Sequence, residues 1–232
     1  MRTLEEKLKK LANPKIAEHS QRFFKTGKGE YGEGDKFLGI RVPRLRELAK
    51  EHHDLKLTEV KKLLKSPYHE IRLCGFILLV NQYNKSKEEK VKDKLYKAYV
   101  SHFKYLNNWD LIDVTCHKII GPHLKETKRS ELYKWARSKK LWEKRISIIS
   151  TFHYVREGDL DDSYKLAEIL LNDDHDLMHK AVGWVLRDCG KRDFKRLESF
   201  ILKNYKKMPR TMLRYAIEHF PETKRKKILR MK

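Results

Sequence analysis

Apolar residues recur along this chain with the period of an α-helix. Leu57, Val60, Leu63 and Leu64 fall on one helical face, and so do Phe194, Leu197, Ile201 and Tyr205. No stretch shows the strict alternation of a half-buried strand. Pro14, Pro43, Pro67, Pro209 and Pro221 each precede a periodic segment, where the first helical turn has no use for the missing N–H. Thr3-Leu4-Glu5-Glu6 and Ser86-Lys87-Glu88-Glu89 carry the capping-box pattern. The pattern predicts an all-α chain of about a dozen helices with short links. One stretch, Gly27-Lys28-Gly29-Glu30-Tyr31-Gly32-Glu33-Gly34, is not helical. It lacks the Lys-Ser/Thr ending of a phosphate-binding loop and follows no strand, so it reads as an ordinary loop.

The helices repeat. Arg72, Asp110, Arg145, Lys180 and Arg214 recur at intervals of about 35 residues. In four of the five, the next positions are small or apolar: Leu73-Cys74-Gly75, Ile146-Ser147-Ile148, Ala181-Val182-Gly183 and Tyr215-Ala216-Ile217. Helix pairs at this interval predict an α-solenoid, whose stacked hairpins curve around one concave face. The expectation is one curved domain over residues 1–232, with N-terminal helices and the Gly-rich loop in 1–42 and repeats in 43–232. Trp135 and Trp142 read as packing residues. Gly183 is expected to leave open space beside Trp184.

Charge changes the picture from fold to partner. The 232 residues carry 54 Lys+Arg against 32 Asp+Glu, a formal net charge of +22, with pI near 9.8. Hydrophobic residues still make up 40 %, enough for a core, so the charge does not imply disorder. A folded domain this basic has the footprint of a polyanion binder, with nucleic acid ahead of an anionic membrane surface. A basic residue once per repeat would line the concave face, and a curved basic groove suits duplex DNA. Each cation taken singly also reads as a solvated surface charge. The longest apolar stretch, near Gly75 to Val80, is far short of the roughly 20 residues a bilayer span needs. The charged start, Met1-Arg2-Thr3-Leu4-Glu5-Glu6-Lys7, lacks the apolar core of a secretory leader. Cys74, Cys116 and Cys189 have neither metal-ligand nor redox spacing, and read as reduced thiols of a cytoplasmic protein. Nothing signals oligomerisation, so a monomer is expected.

The second repeat breaks the rule. It reads Trp109-Asp110-Leu111-Ile112-Asp113-Val114, placing Asp110 in the basic slot and Asp113 in the small or apolar one. An ionised carboxylate there costs several kcal/mol unless paired, and sequences tend to break their own pattern at functional sites. Three readings compete. Asp113 is a structural residue that caps or pairs with Arg145 of the next repeat. Or Asp110, Asp113 and His117, on one helical face, hold a metal, although three ligands without a further His or Cys cluster make a poor site. Or Asp113 is a catalytic carboxylate in a basic groove, since a carboxylate where phosphates dock needs a purpose other than binding.

Four stretches carry a family resemblance: Arg22-Phe23-Phe24-Lys25 with Phe37-Leu38-Gly39-Ile40-Arg41-Val42-Pro43; Trp109-Asp110-Leu111-Ile112-Asp113; Leu141-Trp142-Glu143-Lys144-Arg145; and Lys180-Ala181-Val182-Gly183-Trp184-Val185-Leu186-Arg187. Together they resemble the DNA alkylation repair family of HEAT-like-repeat glycosylases (AlkD type). The resemblance implies excision of cationic alkylated purines, such as 3-methyladenine and 7-methylguanine, from duplex DNA without base flipping. It makes Asp113 the catalytic carboxylate, and Trp109 and Trp184 the aromatic pair flanking the lesion sugar. It turns Arg145 and Arg187 toward the DNA backbone. Arg41, Arg46 and Lys180 are the further candidate DNA contacts. No metal or organic cofactor is implied. The tyrosine that some relatives carry at Phe23 is absent, so its role is not transferred. His153 stands where relatives can be more basic. A non-catalytic binder of branched or distorted DNA is the alternative, because the superfamily includes proteins that keep the fold and lack base excision. A peptide-gripping solenoid is a third reading. No lysine is singled out for Schiff-base chemistry, so no lyase activity is expected.

Overall fold

The computed structural model describes residues 3–125, 127 and 129–231. It is all-α. The described residues form no strand, and one isolated bridge joins Lys36 to Tyr68. The helices gather into two compact units, Met1–Ile119 and Ile120–Lys232.

The first unit contains α1 (Leu4–Lys10), α2 (Pro14–Phe23), α3 (Val42–Glu51), α4 (Leu57–Leu63), α5 (His69–Lys85), α6 (Glu89–Ser101) and α7 (Trp109–Asp113), with 3-10 turns at Phe103–Tyr105 and Cys116–Lys118. Its centre is α5, against which α3, α4 and α6 pack. Ile71, Leu73, Cys74 and Phe76 to Val80 are all buried, so the stretch 73–80 of α5 is apolar all round, as a helix enclosed by others must be. Gly75 allows this: a Cβ there would lie 2.9 Å from Leu64 Cδ2. The segment before α3 is tied to the same helix. Glu70, buried, accepts the backbone N–H groups of Leu38, Gly39 and Ile40.

The second unit contains α8 (Ile120–Lys125), α9 (Ser130–Ala136), α10 (Leu141–Ser150), α11 (Phe152–Glu157), α12 (Asp161–Leu170), α13 (Asp176–Arg192), α14 (Phe194–Asn204), α15 (Arg210–Ala216) and α16 (Glu222–Arg230). Here α13 is the hub, packed by α10, α12, α14 and α15. Gly183 is not beside open space, contrary to the sequence reading. A Cβ there would fall 2.5 Å from Tyr215 Cβ and 2.6 Å from the Met212 carbonyl, because α15 crosses α13 in backbone contact.

Local signals fare unevenly. The Thr3 capping box forms, with Thr3 Oγ1 accepting from Glu6 N–H and the Glu6 carboxylate accepting from Thr3 N–H. The second one does not. Because α5 runs on through Lys85, Ser86 becomes its C-cap, and its hydroxyl accepts from Glu88 N–H two residues on. Pro14 and Pro43 sit in first turns, and Pro209 and Pro221 are N-caps. All three cysteines are buried thiols, and burial pushes Cys74 and Cys189 up to about 12. Among the described residues no helix is long and apolar enough to cross a membrane.

Candidate functional site

The pattern break of the sequence is the helix α7, which is only five residues long. A helix so short is not stable by itself, so its neighbours must hold it. Asn108, fully buried, caps it: Oδ1 accepts from Trp109 N–H at 2.9 Å, and Nδ2 donates to the Phe24 carbonyl at 3.2 Å. The Gly-rich loop packs beneath this cap. Gly32 N–H donates to the Lys25 carbonyl, and a Cβ on Gly32 would strike the Phe24 carbonyl at 2.5 Å. At the far end, Thr115 donates to the Leu111 carbonyl, and its hydroxyl meets the buried Tyr99 hydroxyl at 2.6 Å.

Asp110 anchors the middle. It is 7 % exposed, and its Oδ2 lies 2.8 Å from His69 Nε2. His69 Nδ1 lies 3.0 Å from Asp35 Oδ2. Arg72 donates to both Asp35 oxygens, to Asn107 Oδ1 and to the carbonyls of Ser66 and Tyr105. Burial opposes the charge on His69, but Asp110 and Asp35 outweigh it and raise its pKa to about 9. Burial likewise opposes ionisation of Asp35, and His69 and Arg72 reverse the sign and hold its carboxyl below the usual range. Above this cluster stands an aromatic stack. The Trp109 ring is 5.3 Å from Phe24, Phe24 lies 5.1 Å from Phe37, and Phe37 lies 4.5 Å from the His69 imidazole. Phe23, 55 % exposed, meets Trp109 edge-on at 5.9 Å.

The result is a turn with two different carboxylates. Asp110 faces inward, and Asp113, one turn later, is half-exposed, as is Trp109. Beside them, Val114 joins Arg46, Lys50, Lys85 and Lys118 in lining a basic cleft of about 920 Å³. The metal reading of Asp110, Asp113 and His117 gains nothing. The Asp110 Oδ2 is taken by His69, and no cluster of three or more His, Cys, Asp or Glu side chains among the described residues is placed to hold an ion.

The second unit places the other candidates. Trp184 is half-buried on α13 against Phe152, with ring centroids 4.6 Å apart. Arg187 pairs with Glu218 and, with Arg214 and Arg225, lines a cavity of about 670 Å³. Lys180 pairs with Asp176 at 2.5 Å. Burial lowers the His153 pKa; Glu157 opposes the shift, and the charges of Lys125, Arg156 and Arg129 reinforce it.

The recurrent basic slot is not one solvent-facing row. Arg72 is buried in the Asp35 cluster, and Arg145 is 4 % exposed with Nη1 donating to the Leu177 carbonyl at 2.6 Å. Lys180 is half-buried and Arg214 exposed. Of the candidate DNA contacts, Arg41 (the N-cap of α3) and Arg46 are the exposed ones, and Arg145 is buried. Sequence reasoning missed Asp35, His69, Phe24 and Asn108, which hold the turn. The signal for His69 lay in Asp110 itself, since a buried carboxylate needs a cation or a hydrogen-bond donor opposite.

A family model described as DNA alkylation repair enzyme matches residues 4–220. The chain belongs to the DNA alkylation repair enzyme family. A solved structure titled a predicted DNA alkylation repair enzyme, from Enterococcus faecalis, superposes with a TM-score of 0.69 at 18 % identity, covering 91 % of this chain and 97 % of that one. At that identity it speaks for the fold alone. A search of curated proteins gave no match. Family membership gives a role in alkylation repair and makes DNA the substrate class.

Proposed function

We propose that the protein is a monofunctional DNA glycosylase that hydrolyses the N-glycosidic bond of cationic N3- and N7-alkylated purines in duplex DNA. The observation that carries this reading is the α7 turn. Asp113 and Trp109 are half-exposed one helical turn apart, and the rest of the turn is pinned from beneath. The basic cleft beside Val114 supports it, since phosphates docked there lie next to the residue that follows Asp113.

The chemistry needs little. An alkylated purine already carries positive charge, so it leaves without protonation. The C1′–N bond breaks, its electron pair neutralises the base, and the sugar becomes oxocarbenium-like. A carboxylate close to that cation stabilises it, as in glycoside hydrolysis. Water then adds its oxygen to C1′ and loses a proton to Asp113 or to solvent. The electron-rich Trp109 face adds cation–π attraction of about 0.5–2 kcal/mol. The resemblance assigns Trp184 to the same reaction, and its replacement by alanine tests that assignment on its own.

The test is release of 7-methylguanine from methylated duplex DNA by wild type and Asp113→Asn, with duplex affinity measured in parallel. Release lost in the variant with binding retained supports the reading. Tight binding with no release by wild type overturns it in favour of a structure-selective DNA binder.

A further inference from the structure

We infer that His69 is a positioning residue: as an imidazolium clamped between Asp35 and Asp110, it holds the α7 turn so that Trp109 and Asp113 keep their working orientation. The inference rests on the reading of those two residues as the reactive site.

Geometry carries it. Both ring nitrogens of His69 face carboxylate oxygens, Nδ1 toward Asp35 at 3.0 Å and Nε2 toward Asp110 at 2.8 Å. A neutral imidazole has one N–H and cannot donate to both. A carboxylate oxygen at each ring nitrogen therefore calls for the imidazolium, which donates to both. His69 itself is 1 % exposed, so water cannot substitute for either bond.

The clamp is stiff on its own side. Arg72 grips Asp35 from across the ring, and His69 N–H bonds the Lys36 carbonyl at 2.8 Å. Phe37 stacks on the imidazole at 4.5 Å, and Phe24 lies 5.2 Å away. The charged groups around His69 are Asp35 from the loop, Asp110 from α7 and Arg72 from its own helix. Glu70, next in sequence, is occupied by the backbone of Leu38 to Ile40. Load passes to α7 by two routes. Asp110 is bonded to His69 directly, and Trp109 rests on Phe24, whose ring faces the same imidazole. Asp113 lies one turn further along the same short helix.

Loss of the His69 proton leaves Asp110 or Asp35 facing a lone pair in a buried site. The turn then loosens. With a His69 pKa of about 9, the clamp is closed at neutral pH and opens in mild alkali. An N7-alkylated guanine can itself lose its N1 proton in mild alkali, so the Trp109 fluorine resonance, rather than base release, reads the clamp.

The experiment uses the full chain labelled with 5-fluorotryptophan. The Trp109 fluorine resonance is assigned by its loss in Trp109→Phe, and the His69 imidazole signal by its loss in His69→Gln. Both are followed against pH in wild type and Asp110→Asn, beside single-turnover base release. In wild type the two resonances share one midpoint near 9. In Asp110→Asn the imidazole midpoint falls by about one to three pH units, and the Trp109 resonance falls with it. A Trp109 resonance that ignores the His69 titration overturns the inference, as does a wild-type His69 that titrates near the ordinary histidine value. If Asp110→Asn fails to fold, the coincidence of the wild-type midpoints decides. A wild type that releases no base sinks the glycosylase reading alone, because the fluorine signal reads the turn without any reaction.

Discussion

Asp110 and Asp113 lie one turn apart on α7 in opposite environments: Asp110 is buried against His69, and Asp113 is half-exposed. Substitution should separate them. Asp113→Asn is expected to abolish base release while duplex affinity is retained. Asp110→Asn replaces a buried charged hydrogen bond by a neutral one, a loss of about 1.5–3 kcal/mol of stability. Thermal unfolding measured beside base release distinguishes the two. If Asp110→Asn melted with wild type, its carboxylate would not anchor the turn; if Asp113→Asn released base at the wild-type rate, its assignment would fail.

The same cluster makes stability depend on pH at both ends. His69 has a pKa raised from the ordinary 6.5 to about 9. Its contribution is complete below the unfolded value, declines as pH rises between the two, and is gone above the folded one. Each pH unit in that window costs about 1.4 kcal/mol. Asp35 works in the other direction. Its carboxyl is held low, so its contribution is complete above the unfolded carboxylate range and is lost as acid protonates it in the folded protein. Denaturant midpoints measured across mild alkali should fall in wild type and stay flatter in His69→Gln. Equal slopes in both proteins would remove His69 as the cause.

Much of the fold was legible because helical periodicity, prolines and the repeat report burial and chain breaks directly. The site was legible only in outline. Asp113 and Trp109 stood out because they broke a pattern. Their supports did not, since Asp35 lies in a Gly-rich loop and His69 at a helix start, and only the folded chain brings them to Asp110. The burial of Arg72 and Arg145 was hidden for a related reason. A recurring basic residue looks the same in sequence whether it faces solvent or satisfies buried carbonyls, and here both are buried.

Close packing in the second unit gives a sharper test of the glycines. Gly183 has α15 backbone within 2.6 Å of where a Cβ would stand, and Gly158 ends α11 at φ 84° with nothing within 4 Å. Gly183→Ala must push α15 from α13 and is expected to cost about 1–3 kcal/mol by overpacking. Gly158→Ala pays only for a left-handed backbone, about 1 kcal/mol. Chemical denaturation of both variants checks the order.

Salt dependence of DNA binding tests which arginines meet phosphate. Each phosphate neutralised adds about 0.9 to the slope of log affinity against log salt. Arg46 is exposed at the basic cleft, so Arg46→Ala should lower the slope by about 1 and leave the melting temperature unchanged. Arg145 is buried and donates to the Leu177 carbonyl. Arg145→Ala strands that acceptor, at a cost of about 1–3 kcal/mol, and should lower the melting temperature with the slope unmoved. The reverse outcome for Arg145, a shallower slope at full stability, would mean that its guanidinium turns out to the DNA backbone when duplex is bound, as the family resemblance implies.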